Sequence, residues 1–92
     1  MTPENKPRLA PKVRLRLDQK TDCFLLLFPE RGILLNPTAA EIIKRCNGKD
    51  TVTTIVDHLM RTYDGQPRQV IETETLNLLQ QFHARGLIRV ET

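Results

Sequence analysis

Residues 23–28 form an unbroken apolar run, Cys-Phe-Leu-Leu-Leu-Phe. A strand of this composition is apolar on both faces, whereas a small antiparallel sheet normally leaves one face wet. Residues 29–32 (Pro-Glu-Arg-Gly) have turn chemistry, and residues 33–35 (Ile-Leu-Leu) again show no alternation. The sequence therefore predicts a β-hairpin whose apolar surface must be covered by helices, by a second subunit or by a ligand.

A further strand is predicted at residues 13–17, where Val-Arg-Leu-Arg-Leu alternates strictly between apolar and basic side chains. Polar residues 18–22 connect it to the hairpin, so the three strands form an antiparallel meander. Residues 1–12 contain three prolines and are expected to be an extended, partly mobile arm. Residues 13–92 then make a single domain, since a chain of 92 residues is too short for two cores.

Three helices are predicted after the sheet. Asn36 is a good N-cap, Pro37 suits the first helical position, and Thr51 caps the second helix. The third helix begins near Pro67 and ends at Gly86, and the residues after it either form a short strand or pack down on the core. The predicted fold class is therefore α+β and winged-helix-like, with an N-terminal three-stranded antiparallel sheet followed by a three-helix bundle.

The sequence shows no catalytic or cofactor motif. It has neither a Gly-rich phosphate loop nor a cluster with metal-ligand spacing, so we predict a binding protein that is not an enzyme and uses no cofactor. The alternative is an enzyme acting through Cys46, paired with His58. Cys46 falls on the apolar stripe of the first helix, where burial raises the pKa of a thiol instead of activating it. No apolar run approaches the roughly 20 residues of a membrane span, so we expect a cytoplasmic protein without membrane contact.

The net charge of +3 and the pI near 9.2 raise nucleic-acid binding as an alternative function. Residues 1–20 hold six basic and two acidic residues, a surplus of four, and the remaining 8 basic and 9 acidic residues sum to −1. The third helix, which is the recognition helix of a DNA-binding winged helix, carries Glu72 and Glu74 near its start. Acidic groups there oppose phosphate binding, so the sequence favours another partner.

The apolar hairpin and the third helix together indicate a peptide site. If the third strand is an edge, its free backbone groups are a template for an incoming extended peptide. On the third helix, Leu76, Leu79 and His83 form a second stripe beside the main apolar one, positioned to receive peptide side chains. The alternative is that both stripes fill one helix-on-sheet core, and the residues alone leave the two interpretations open.

Several segments carry a resemblance to a known family. They are residues 7–11 (PRLAP) leading into 13–16, residues 26–42 (LLFPERGILLNPTAAEI), residues 46–48 (CNG), 51–52 and 55–59, and residues 82–88. In this order and spacing, over nearly the whole chain, they resemble the PqqD family, the peptide chaperones of pyrroloquinoline quinone (PQQ) biosynthesis. Asn47 and Leu87 depart from the Asp and the aromatic residue of many relatives, at two structural positions.

The resemblance implies a domain that recognises precursors of ribosomally made, modified peptides. It implies that the chain binds the precursor peptide PqqA by strand addition and presents it to PqqE, a radical S-adenosylmethionine (SAM) enzyme that holds the iron–sulfur chemistry. Carried over by position, the peptide-binding residues are Arg31, Gly32, Ile33, Leu34 and Leu35 on the third strand and Leu76, Leu79, Gln80 and His83 on the third helix. We expect a functional monomer, with a homodimer or a strand swap as the alternatives that an exposed edge strand allows.

Overall fold

A computed structural model describes residues 1–29, 31–63 and 65–91, with only the backbone at position 91. In chain order the elements are β1 (Lys6–Leu9), β2 (Arg14–Asp18), β3 (Cys23–Phe28), β4 (Arg31–Leu35), α1 (Pro37–Lys44), α2 (Val52–Thr62), α3 (Arg68–Ala84) and β5 (Ile88–Glu91). The predicted α+β class, with an antiparallel sheet followed by three helices, is confirmed. The likeness to a winged helix stays a prediction. No helix within the described ranges is both long enough and apolar enough to cross a membrane.

The three-stranded sheet has the order β2-β3-β4 and is antiparallel throughout, as the spacing of the strands predicts. Its middle strand, β3, places Leu26 directly opposite Leu15 of β2 and Ile33 of β4. β2 and β4 are therefore the two edges of this sheet. β4 is the strand that the sequence predicts to accept a peptide.

A second, two-stranded sheet joins the two ends of the chain, and its first strand is not predicted by the sequence. β1 pairs antiparallel with β5, so that Leu9 lies opposite Ile88. Pro7 is fully buried, and its C=O accepts a hydrogen bond from the Gly48 N–H at 2.9 Å. Residues 6–9 are thus extended, as the prolines indicate, but they are paired and anchored. A boundary between an arm of residues 1–12 and a domain of residues 13–92 stays a prediction.

The first two helices begin at the predicted caps. The Asn36 side chain accepts a hydrogen bond from the Ala39 N–H at 2.7 Å, and the Thr51 hydroxyl accepts one from the Thr54 N–H at 3.1 Å. Each bond satisfies one of the backbone donors that a helix start leaves without an intrahelical partner. The cap at Asn36 also ends β4 and fixes the point at which the chain turns away from the sheet edge.

The end of α3 is a Schellman motif at Gly86, the residue at which the sequence predicts the helix to end. Gly86 has a φ of +76°, its N–H donates to the His83 C=O at 3.0 Å, and the Leu87 N–H donates to the Phe82 C=O at 3.0 Å. Leu87 and Phe82 are both buried. The motif sends the chain directly from α3 into β5 and holds this turn against the core.

The helices cover only one face of the three-stranded sheet. On that face Leu26 is 0% and Leu35 4% exposed, and both belong to the core that the helices complete. On the other face Leu25 and Leu27 are half-buried and Leu34 is 57% exposed, and these three side chains lie outside the core cluster. Part of the apolar surface of the hairpin therefore stays uncovered by the chain's own helices.

Candidate functional site

The open edge of β4 offers unpaired backbone groups. The register pairs Phe28 with Arg31 across a two-residue connection, which makes them a hydrogen-bonded pair. Because such pairs alternate along an antiparallel ladder, the N–H and C=O of Ile33 point to β3, whereas those of Gly32 and Leu34 point away from the sheet. An extended chain laid beside β4 would pair with Gly32 and Leu34.

Gly32 leaves one position of the β4 edge without a side chain. A Cβ at this position would lie 2.8 Å from Cδ2 of Leu27, the residue directly opposite, so any larger side chain must displace Leu27. Glycine therefore fits the outer face of the sheet beside Leu27. It also lets another backbone approach the edge closely.

Two clefts show where α3 lies relative to β4. At the start of β4, Arg31 and Arg85 line one cleft of about 590 Å³, and just after its end Asn36 and Leu78 line another of about 330 Å³. α3 therefore runs opposite to β4, with its C-terminal end beside the start of the strand. At the usual rises, Glu74 to Arg85 advances about 16 Å along α3, and Arg31 to Asn36 advances about 16 Å along the direction of β4, so the two clefts are equally far apart on both elements. We call the space between them the β4–α3 groove, with Arg31 and Arg85 in the cleft at one end and Leu78 in the cleft at the other.

The four α3 residues that the sequence predicts to contact a peptide lie on other sides of the helix. Leu79 is 0% exposed and belongs to the core. Leu76 is half-buried against the core, and Gln80 Oε1 accepts a hydrogen bond from the N-terminal amine of Met1 at 3.0 Å. At 3.6 residues per turn, Leu78 lies about 160° around the helix from Leu76. The structure brings the five β4 residues together on one edge, but it does not bring Leu76 and Gln80 to that edge. Peptide contact by these residues and by the exposed His83 stays a prediction.

The N-terminal segment reaches the side of α3 that carries Gln80. The Pro3 C=O accepts hydrogen bonds from the Thr53 N–H at 3.0 Å and the Thr53 hydroxyl at 3.2 Å, which fixes the segment beside the start of α2. Met1 then packs against the core and reaches Gln80. The chain therefore uses its own first residues on the side of α3 that the sequence leaves without a structural partner.

The sequence does not indicate which residues of α3 lie nearest β4. Leu78 is half-buried, packs against the core and lies beside the start of α1. Arg85 is exposed at the C-cap. An apolar stripe shows which residues avoid water, but it does not show which neighbouring element they face. The sequence alone therefore gives no signal for Leu78 or Arg85 as groove residues.

Cys46 is a buried thiol. It is 6% exposed, its Sγ donates to the Ile42 C=O at 3.4 Å, and burial raises its pKa to about 12. The thiolate is the nucleophilic form of cysteine, and a thiol with this pKa is protonated at neutral pH. The setting disfavours an enzyme that acts through Cys46.

Alkylation is expected to distinguish the two cysteines. A rise in pKa from 9.0 to about 12 lowers the thiolate fraction of Cys46 about 1000-fold near neutral pH. Iodoacetamide should therefore label half-buried Cys23 in the folded protein, and Cys46 only after unfolding in urea. Mass spectrometry of the digested protein measures both rates. Equally fast labelling of Cys46 in the folded protein would contradict the buried assignment.

A polar cluster joins α1 to α2. His58 is half-buried: its Nδ1 accepts a hydrogen bond from Arg45 Nη2 at 2.9 Å, and its Nε2 lies 3.3 Å from Glu41 Oε2. The hydrogen bond from Lys44 is the main reason that the pKa of Glu41 lies below its ordinary value. These contacts tie the two helices together. Within the part of the chain that the structure describes, no group of three or more His, Cys, Asp or Glu residues is placed to hold a metal ion.

Comparison with known families decides the assignment. A family model described as PqqD, coenzyme PQQ synthesis protein D, matches residues 23–88, more than two thirds of the chain. The chain belongs to the PqqD family. The matched residues run from β3 to the start of β5, so they include both walls of the β4–α3 groove.

Relatives that match most of this chain have names that state a function. The PqqA binding protein of Methylococcus capsulatus is 34% identical over 89 residues, which are 97% of this chain and 92% of that protein. The bifunctional coenzyme PQQ synthesis protein C/D of Methylorubrum extorquens is 40% identical over 73 residues, 79% of this chain but only 19% of that protein. This PqqD-family chain therefore corresponds to one part of a longer relative and to nearly the whole of a shorter one.

Solved structures confirm the PqqD fold. The solution structure of the PqqD truncation of Methylobacterium extorquens PqqCD superposes with a TM-score of 0.77 at 34% identity, over 90% of this chain and 87% of that one. That protein is described as a functional, stand-alone recognition element for ribosomally synthesised and post-translationally modified peptides (RiPPs). Lasso peptide synthetase B1, solved with its leader peptide, also superposes with a TM-score of 0.77, at 21% identity over 91% of this chain and 98% of that one. At that identity the likeness concerns the fold alone.

Proposed function

We propose that the chain binds the precursor peptide PqqA as a strand added to β4 and presents it to the radical SAM enzyme PqqE in PQQ biosynthesis. The observation that carries the proposal is the open edge of β4 in a chain of the PqqD family, with a cleft shared with α3 at each end of the strand. Relatives that cover most of the chain are named PqqA binding proteins, and the similar PqqD structure is described as a RiPP recognition element. These names lend no support to the nucleic-acid alternative.

Strand addition gives each predicted β4 residue a definite part. Gly32 and Leu34 pair with the peptide, because their backbone groups point away from β3. Arg31, Ile33 and Leu35 pair with β3 and hold the edge in register. Main-chain hydrogen bonds provide affinity in this mode, and pockets for alternate side chains provide specificity. Five residues of edge suit a peptide segment of about the same length.

The side chains of α3 form the opposite wall in this proposal. Leu78 offers an apolar contact near the end of β4, and Arg85 offers a charge near its start. A peptide strand alternates its side chains between two faces, so every second residue would point toward α3. Leu78 is therefore our candidate for apolar recognition, in addition to the four α3 residues that the sequence predicts.

The chain supplies binding and PqqE supplies the radical chemistry. A protein with this role needs no catalytic group of its own, and we place it in the cytoplasm, where a ribosomally made peptide first appears. We propose that the monomer is the binding form. A dimer joined through two β4 edges would occupy the same backbone groups as the peptide, so the two states would compete.

Titration of the ¹⁵N-labelled protein with PqqA peptide tests the proposal by NMR. Amide shifts are expected for Gly32, Leu34 and the groove side of α3, because these groups change hydrogen bonds or neighbours on binding. The amides of β2, the other edge of the same sheet, serve as the control and should move little. Shifts confined to residues 1–12, with β4 unmoved, would reject strand addition at this edge.

Adding unlabelled PqqE to the labelled complex extends the same titration to presentation. The complex should tumble more slowly as PqqE binds, while the β4 shifts induced by the peptide persist. Loss of those shifts would mean that PqqE removes the peptide from the chain instead of receiving it in the complex. A duplex oligonucleotide, added in place of the peptide at low salt, should leave the spectrum unchanged.

A further inference from the structure

The cleft at the start of the β4–α3 groove is strongly basic. Its volume is about 590 Å³, and four of its lining residues carry positive charge: Lys12, Arg31, Arg85 and Arg89. The remaining lining includes apolar side chains of the core, among them Val13, Phe28 and Leu87. We call this site the basic cleft.

The cations of the basic cleft lack acidic partners among the described side chains. None of the four forms an ion pair with a described carboxylate. Glu30 and Glu91 stand within two residues of Arg31 and Arg89 in the sequence, and counting both in full still leaves a surplus of 4 − 2 = +2.

Three connections of the fold build the basic cleft, and its floor is fixed. The β1–β2 connection supplies Lys12, the β-hairpin supplies Arg31, and the Schellman turn after α3 places Arg85 beside Leu87. Val13 is 8% and Leu87 5% exposed, so the floor is part of the core and is present before any ligand binds. Because the side chains of a preformed site are already ordered, ligand binding there costs little conformational entropy.

We propose that the basic cleft binds carboxylate side chains of the peptide, in the segment that continues past the start of β4. The proposal rests on the proposed function, because the cleft opens onto the same groove through Arg31 and Arg85. Guanidinium groups pair with carboxylates through two parallel hydrogen bonds, and an apolar floor accommodates the methylene groups of Asp or Glu. The charged contact fixes one end of the added strand and thereby sets its register on β4, which main-chain pairing alone leaves open.

The double variant R85Q/R89Q tests the basic cleft. Fluorescence anisotropy should show about tenfold weaker binding of labelled PqqA peptide at about 20 mM salt, and nearly equal binding by variant and parent at about 500 mM, where screening is strong. The matched control R61Q/K49Q removes two exposed cations from α2 and from the α1–α2 connection, and it should bind within about twofold of the parent. Circular dichroism checks that both double variants remain folded.

A second peptide completes a thermodynamic cycle. In this peptide the Asp and Glu residues outside the β4-paired segment are replaced by Asn and Gln. It should bind the parent about tenfold more weakly at low salt, and R85Q/R89Q should cause little further loss of affinity.

Equal losses of affinity from R85Q/R89Q with both peptides, or no loss with either, would overturn the proposal. So would displacement of the peptide by inorganic phosphate beyond that by chloride at equal ionic strength, since it would identify a phosphate site. If the cycle shows no coupling but the peptide still shifts the β4 amides in the NMR titration, carboxylate binding in the basic cleft is rejected. Strand addition to β4 is then still supported.

Discussion

Leu34→Pro in β4 is expected to weaken binding of the PqqA peptide about 100-fold, or about 2.7 kcal/mol. Proline removes the N–H that points away from the sheet, and its ring occupies the space into which an added strand must come. A peptide carbonyl would lose its partner at one of the two outward-facing positions of the edge, and leaving a polar group unsatisfied costs more free energy than the hydrogen bond contributes. Calorimetry or anisotropy with the peptide measures the effect.

Leu17→Pro in β2 is the matched control for this prediction. Leu17 is an exposed leucine, 49% against 57% for Leu34, and it lies on the opposite edge of the same sheet. The register gives its N–H the same outward direction, because Leu25 and Leu27 form the hydrogen-bonded pairs with β2. The two prolines should therefore cost similar stability, and Leu17→Pro should leave peptide affinity within about threefold. Equal losses of affinity in two folded variants would remove β4 as the binding edge.

Leu34→Ala separates the backbone from the side chain at the same position. Alanine keeps the N–H and removes most of an exposed apolar side chain, so only a small part of the affinity lost in Leu34→Pro should be lost here. If both substitutions reduce affinity to the same degree, the peptide contacts the outer face of the sheet instead of pairing with its edge.

Local sequence patterns predict the elements of this fold well. The unalternated runs and the turn between them predict the β3–β4 hairpin, and Asn36 and Thr51 predict the starts of α1 and α2. In each case the interaction that decides the structure joins residues that are close in sequence, such as the Asn36 side chain and the Ala39 N–H. The edge position of β4 follows as well, since a meander places its last strand at one side of the sheet.

Long-range pairing explains what the sequence does not predict. β1 looks like a mobile arm because its prolines weaken a strand pattern, and its partner β5 lies about 80 residues further along the chain. That strand also leads the N-terminal segment to the side of α3 where the sequence predicts peptide contact, and this contact stays a prediction. The sequence contains an apolar stripe with Leu76 and a polar residue at Gln80, but only the docked N-terminus shows that Met1 lies there. The side of α3 that faces β4 was therefore not determined by periodicity.

Leu78→Ser is expected to weaken peptide binding about 20-fold, and Leu76→Ser to leave the affinity within about threefold. Both leucines are half-buried on α3, so each substitution removes similar apolar area and costs similar stability. They differ in direction, since Leu78 lines the cleft beside the end of β4 and Leu76 lies on the side of Gln80 and Met1. Affinity measured for both folded variants distinguishes the two sides of the helix.

The opposite ranking would support the sequence-based assignment of the α3 contacts. If Leu76→Ser loses affinity and Leu78→Ser does not, the peptide must displace Met1 and bind along Leu76, Gln80 and His83. Removal of residues 1–4 would then expose that side and raise the affinity of the parent. With the peptide in the β4–α3 groove, the same truncation leaves the affinity unchanged and lowers only the melting temperature, because it removes the bonds from Thr53 to Pro3 and the packing of Met1 on the core. The truncation therefore separates the two positions for the peptide even if both serine variants prove too unstable to compare.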